Sequence, residues 1–235
     1  VIVVHGKRTS ERLDLPAGFQ RVVVDLGTGD GRFAYAYAGD HPDALVVGVD
    51  AISERLAEVS ARAARKPAKG GRPNVLLVRA SAESPPAELR GQADEIHVLL
   101  PWGALLVGTM LARPDVLGGI VALARPDTGA RLRVVFNAEP WDESTPKDLV
   151  ELPAVTVDYV ERTLAPAYRA LGIELDDVHE LTAEEVRDLP TTWSRRLAAS
   201  HGGHPRFVHA AGLVRPVRPG AAGTTTSSGL PPDSG

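Results

Sequence analysis

The sequence predicts an α/β protein built on a doubly wound, mostly parallel sheet. Three observations carry this. Short β-branched apolar runs recur at 22–26, 45–50, 74–79 and 94–100, each followed by a turn and, after most of them, a stretch that reads as helix. The first run drops into alternating glycines, Asp25-Leu26-Gly27-Thr28-Gly29-Asp30-Gly31, the strand, tight turn and helix that open such sheets. With 235 residues, 43% of them hydrophobic, the chain can bury a sizeable core. The simplest account is one domain over residues 1–215 with an N-terminal strand extension, inserted loops near 138–155 and 190–205, and a disordered tail over 216–235.

In order, residues 1–4 form a short strand and 11–19 a polar approach to the first core strand. Helix follows the glycine turn from Arg32. The strand ending in Asp50 leads to a helix over 52–65, with Ser53 near its N-cap. Two prolines and two glycines then break the chain into a rigid, charged loop, Lys66-Pro67-Ala68-Lys69-Gly70-Gly71-Arg72-Pro73. The third strand, 74–79, ends in the turn Ala80-Ser81-Ala82-Glu83, and the fourth, 94–100, in Pro101-Trp102-Gly103. Residues 104–110 and 114–124 read as helices. The strand at 131–136 alternates enough to lie near an edge or be partly covered. After the insertion come a helix over 157–171, a strand over 173–181, a short helix capped by Thr182, and a last strand at 207–214. The last two strands form an antiparallel hairpin with a long connection.

Composition narrows the function. With no cysteine, the chain has no disulfide, thiolate metal site or cysteine nucleophile. No long apolar run or leader suggests a membrane or secretion, so the expected location is cytoplasmic. The net charge of -4 argues against a nucleic-acid partner until it is resolved along the chain. Between Glu58 and Glu83 there is no acid, yet Arg62, Arg65, Lys66, Lys69, Arg72 and Arg79 are there; Arg195, Arg196 and Arg206 fall in a second acid-free stretch. A protein acidic overall can still turn one basic face to phosphates.

The glycine turn lets a ligand lie against the backbone. Asp25, ahead of the first glycine, can receive a cationic amino group, and Asp50, closing the next strand, can accept two ribose hydroxyls. This pair suits S-adenosylmethionine better than a pyrophosphate. Glu83 or its neighbouring backbone can face an adenine edge. Trp102 is either a core side chain or one that lines the site. His201 and His204 lack nearby carboxylates and read as a loop rather than a metal site. Nucleophile-elbow, H-E-x-x-H and Walker A patterns are absent.

Four stretches together, 25–31, 66–71, 97–103 (His-Val-Leu-Leu-Pro-Trp-Gly) and 192–197 (Thr-Trp-Ser-Arg-Arg-Leu), resemble the aminoglycoside-resistance 16S rRNA methyltransferases of the kanamycin/apramycin type. The likeness runs from about Gly6 to Phe207. It implies a class I S-adenosylmethionine-dependent (Rossmann-like) fold with seven strands and an antiparallel last strand. It also implies methyl transfer to N1 of adenine 1408 in 16S rRNA helix 44 of the 30S subunit. The sequence adds no further apolar surface element, which favours a monomer. By the same resemblance Asp25, Gly27, Thr28, Gly29, Asp50, Ala51, Ala82, Glu83, Leu99 and Thr191 contact the cofactor, Trp102 and Trp193 sandwich the flipped base, and Lys66, Lys69, Arg72, Arg195 and Arg196 contact RNA. One departure is the stretch 198–205, Ala-Ala-Ser-His-Gly-Gly-His-Pro, where relatives carry more arginine.

N1 of neutral adenine already holds an in-plane lone pair, so the expected chemistry needs positioning rather than a general base. Two other readings stand beside this one: a tRNA guanine-N7 methyltransferase, whose fuller signature around Pro-Trp is absent, and a ribosome-binding protein without catalysis.

Overall fold

The computed structural model describes residues 2–6, 8–138, 152–187, 189 and 206–216. Its centre is a nine-stranded sheet. The strands are β1 (Ile2–His5), β2 (Arg8–Ser10), β3 (Arg21–Leu26), β4 (Ala44–Asp50), β5 (Val75–Arg79), β6 (Glu95–Leu99), β7 (Ala130–Asn137), β8 (Ile173–Glu180) and β9 (Phe207–Val214). Their order across the sheet is β2-β1-β5-β4-β3-β6-β7-β9-β8. From β5 to β7 all pairing is parallel; β9 enters antiparallel between β7 and β8.

The seven strands β3 to β9 are those expected, with β9 as the antiparallel last strand. The N-terminal extension is a hairpin rather than one strand: β1 pairs antiparallel with both β5 and β2. β2 consists of Arg-Thr-Ser, which carries no apolar alternation to mark it. Of the two places open to it, near an edge or partly covered, the strand at 131–136 takes the second. As β7 it lies inside the sheet, hydrogen-bonded to β6 and β9. Its alternation arises because Arg131 and Arg133 interrupt an otherwise buried run.

Helices cover both faces. α1 (Arg32–Asp40) and α2 (Ala57–Ala63) pack on one, burying Ala34, Tyr35, Leu56 and Val59 against Val23, Val46 and Leu77. On the other, α3 (Gly103–Met110), α4 (Pro114–Leu123) and α5, spanning 157–170 with a π turn at Val160–Leu164, bury Leu106, Met110, Leu117, Ile120 and Tyr168. The central strands are apolar on both sides, with Val23, Val24, Val46 and Val47 fully buried. α2 is shorter than expected. A 3₁₀ turn, Ser53–Leu56, precedes it, and the capping position is Ile52, whose N–H donates to Asp50 Oδ1 at 2.9 Å, rather than Ser53. Thr182 caps α6 (Ala183–Arg187) as expected, in a reciprocal box: Glu185 N–H donates to Thr182 Oγ1 at 3.3 Å, and Thr182 N–H to Glu185 Oε2 at 2.8 Å.

Among the described residues no single helix is long and apolar enough to cross a membrane. α3 and α4 are apolar together but bent by 95°. Most of the expected insertions near 138–155 and 190–205, and of the tail, lies outside the described residues.

Candidate functional site

A cleft of about 710 Å³ opens at the carboxyl ends of β3, β4, β5 and β6, where a doubly wound sheet offers its ligand site. Asp25, next to last in β3, is 1% exposed and lines it. The chain then doubles back, with Gly27 and Thr28 N–H both donating to Val49 O, at 2.8 and 3.0 Å. That path needs φ of +78° at Gly27 and +64° at Gly29, strained for any residue with a Cβ. At Gly27 a Cβ would also stand 2.5 Å from Leu105 Cδ2 of α3. At Gly29 no atom lies within 4 Å of that position, so the floor there is open backbone.

The Thr28 hydroxyl donates to Asp25 Oδ2. Burial pushes the Asp25 carboxyl up to about 7; the Thr28 hydroxyl opposes this, and the charges of Asp50 and Asp30 add to it. A cation set against Asp25 would restore its ionised form. Asp50 is held from both neighbouring turns: Gly29 N–H donates to Oδ2 and Ile52 N–H to Oδ1, each at 2.9 Å. Farther along, the cleft is lined by Ala51, Ala82, Glu83 and Leu99. Ala82 is fixed from behind, because α4 brings Gly119 so close that a Cβ there would lie 1.8 Å from Ala82 O.

Trp102 stands at the mouth, 45% exposed and lining the cleft. Of the two readings open from sequence, the core one is excluded. The backbone holds it outward: Leu100 takes φ +51°, its N–H donates to Val135 O at 2.8 Å, Trp102 is extended and Gly103 has φ +58°. A leucine in the left-handed region is strained, and such strain at a cleft persists only where the surroundings over-determine it.

The basic loop lies beyond α2. Lys66 and Lys69 are exposed on a tight turn closed by Lys69 N–H to Lys66 O at 2.8 Å and Gly71 N–H to Lys66 O at 3.1 Å. Arg72 is placed differently. It is half-buried against α1, its guanidinium carbon 5.4 Å from the Tyr35 ring centre, its Nη1 3.4 Å from Gly71 O, and its Nε 2.8 Å from where a Gly39 Cβ would be. The structure thus brings together the cofactor residues expected from β3 to β6, plus Trp102. Thr191, Trp193, Arg195, Arg196, His201 and His204 lie outside the described residues. Sequence reading missed Ile52, Arg55 and Leu105 in the cleft. Ile52 and Arg55 closely follow Asp50 and were within reach of a motif argument; Leu105 arrives from a distant helix and carried no local signal.

A buried carboxyl for an amino group, a second carboxylate braced by two backbone N–H groups for ribose hydroxyls, and apolar walls from Ile52, Ala82, Leu99 and Leu105 suit an amino acid joined to a nucleoside. With this strand order, fold and site define a class I S-adenosylmethionine-dependent methyltransferase.

Comparison with known proteins narrows the class. A family model described as NpmA, 16S rRNA (adenine(1408)-N(1))-methyltransferase, matches residues 3–211, and the chain belongs to this family. A curated relative from Streptoalloteichus tenebrarius with the same description is 43% identical over 209 residues, covering 87% of this chain and 94% of its own. The crystal structure of the 16S rRNA methyltransferase KamB superposes with a TM-score of 0.82 at 41% identity, over 92% of this chain and 100% of that one. A mutant of the Catenulisporales acidiphilia enzyme, solved with cosubstrate SAM, gives 0.81 at 39% identity, over 92% and 98%.

Proposed function

We infer that the protein transfers methyl from S-adenosylmethionine to N1 of adenine 1408 of 16S rRNA in the 30S subunit, and so protects the ribosome from aminoglycosides. Family membership and the cleft support this together; the carrying observation is a buried carboxyl, Asp25, at one end of a cleft with an outward tryptophan, Trp102, at its mouth. Bound S-adenosylmethionine supplies a methyl group made electrophilic by its sulfonium. Asp25 would hold its amino group, Asp50 its ribose hydroxyls, and Ala82, Glu83 and Leu99 would border its adenine, with Thr191 completing the pocket.

The remaining work is done by the chain on the RNA. Adenine must leave its helix, helix 44, at a cost of about a few kcal/mol. Trp102 offers one stacking face against that cost and Trp193 is the proposed second. No side chain has to remove a proton, since N1 attacks with a lone pair it already has. Lys66 and Lys69, with Arg195 and Arg196, would grip flanking phosphates. Arg72, folded against Tyr35, would set the loop rather than touch RNA. On this reading the protein acts in the cytoplasm, where 30S subunits are, as a monomer.

The test is incubation with 30S subunits and labelled S-adenosylmethionine, with free tRNA as a second substrate, followed by reverse transcription across the decoding site. A stop immediately before adenine 1408, with label in 30S and not in tRNA, is expected because a methyl on N1 blocks the pairing edge. Label in tRNA alone, or none at all, would overturn the reading.

A further inference from the structure

A second cluster of chemistry lies on the far edge of the sheet, away from the cleft. β8 is the edge strand, and its pairing with β9 shifts register between Leu175 and Asp177. Before the shift Ile173 and Leu175 pack on the core; after it Val178 does. The bulge therefore reverses which face the odd-numbered residues take. Without it, the two-residue period would carry Asp177 and His179 to the core side. With it, both share a face with His209, which sits directly opposite His179 across the pair. Asp176, at the shift, turns away to bond Arg131 at 2.7 Å.

Three metal-ligating side chains converge there. His179 Nδ1 is 2.9 Å from Asp177 Oδ1, and His209 Nε2 is 3.5 Å from Asp177 Oδ2. One donor atom from each of the three lies within 4.8 Å of the others. Glu185, from α6, brings Oε1 to 3.8 Å from His179 Nε2. Tetrahedral ligands at about 2.1 Å from an ion stand roughly 3.4 Å apart, close to the separation of Asp177 Oδ2 and His209 Nε2; Glu185 faces the His179 nitrogen opposite Asp177 and stands outside the group of three. His209 is 8% exposed and turns Nε2 toward Asp177, 3.5 Å from Oδ2, so the cluster draws one donor from a buried imidazole and two from the edge strand.

We propose that Asp177, His179 and His209 bind a divalent transition-metal cation of the zinc class, with water completing its shell. Two imidazoles and a carboxylate suit zinc, cobalt or nickel rather than calcium or magnesium, which take oxygen donors. The ion would pin the edge strand β8 to β9. Its role is structural, separate from methyl transfer.

The test titrates Zn²⁺ into the full chain against a chromophoric chelator, with Co²⁺ absorption as a second readout. One equivalent should bind, and Co²⁺ should give the intense visible bands of a low-coordinate site. His179→Ala and Asp177→Asn, both at accessible positions, should each weaken binding by at least about tenfold, the loss that even outer partners of metal ligands produce. The double variant His201→Ala/His204→Ala should bind as the unaltered chain does. Absence of stoichiometric binding by the unaltered chain would overturn the proposal, as would binding that survives His179→Ala and disappears in the His201/His204 variant.

Discussion

Asp25 carries two opposed demands. The unfolded chain ionises it near 3.8, whereas burial resists ionisation up to about 7. Between those values the free folded protein holds the proton and the unfolded chain does not, so stability falls as pH rises from about 4 to about 7. At about 1.4 kcal/mol per pH unit the loss approaches roughly 4 kcal/mol. Asp25→Asn should therefore raise the melting temperature of the free protein at pH 8 and flatten its pH dependence, as calorimetric scans across pH 5–8 would show. The same variant should weaken S-adenosylmethionine binding by about 2 kcal/mol, roughly thirtyfold. In the unaltered protein, binding at pH 6.5 should release protons, read as an enthalpy that varies with the buffer. Trp102 differs in kind, because at 45% exposure it contributes little to the core. Trp102→Ala should leave melting and cofactor affinity nearly unchanged and cut methylation of 30S subunits by the worth of a base stack, about 1–3 kcal/mol. Full methylation by that variant would remove Trp102 from the mechanism.

Elements set where those residues stand. α4 approaches the end of β5 through Gly119, where a Cβ would meet Ala82 O at 1.8 Å, a backbone atom that cannot swing away. Gly119→Ala should force helix and turn apart, costing about 2 kcal/mol and lowering the melting temperature by roughly 6 °C for a chain of this size. Cofactor affinity should fall with it, because the displaced turn lines the cleft. At the other end of α2, a Cβ on Gly71 would stand 1.7 Å from Arg65 O, so that close approach shapes the loop presenting Lys66 and Lys69. The glycines of 25–31 were legible because a local turn demands them. Gly71 was legible as part of a loop but its close approach to Arg65 O was not, and Gly119 gave no sign at all, because its reason is a neighbour distant in sequence.

Among the described residues, charge is unevenly spread across the sheet. Arg62, Arg65, Lys66 and Lys69 cluster around α2 and the loop before β5, while Glu174, Asp176, Asp177, Glu180, Glu184 and Glu185 lie on β8 and α6 at the opposite edge. A net charge of -4 thus hides a polarised field that can steer one end toward phosphate. Replacing Lys66 and Lys69 together by alanine should weaken 30S binding and reduce the slope of log affinity against log salt by about 1.5. An unchanged slope would show that this loop does not meet the RNA backbone.

By itself the sequence determined the strand, turn and helix around Asp25, the acid ending β4, the mostly parallel character of the core sheet and the family. Each rests on short stretches of contiguous residues, singly or in combination, whose local geometry allows few alternatives. Tertiary structure alone decided that Trp102 faces out, that Arg72 folds inward onto Tyr35, that β7 is interior, and that a bulge in β8 gathers Asp177, His179 and His209. Those outcomes depend on which neighbour fills the adjacent space, and a neighbour far along the chain leaves no mark in the local pattern.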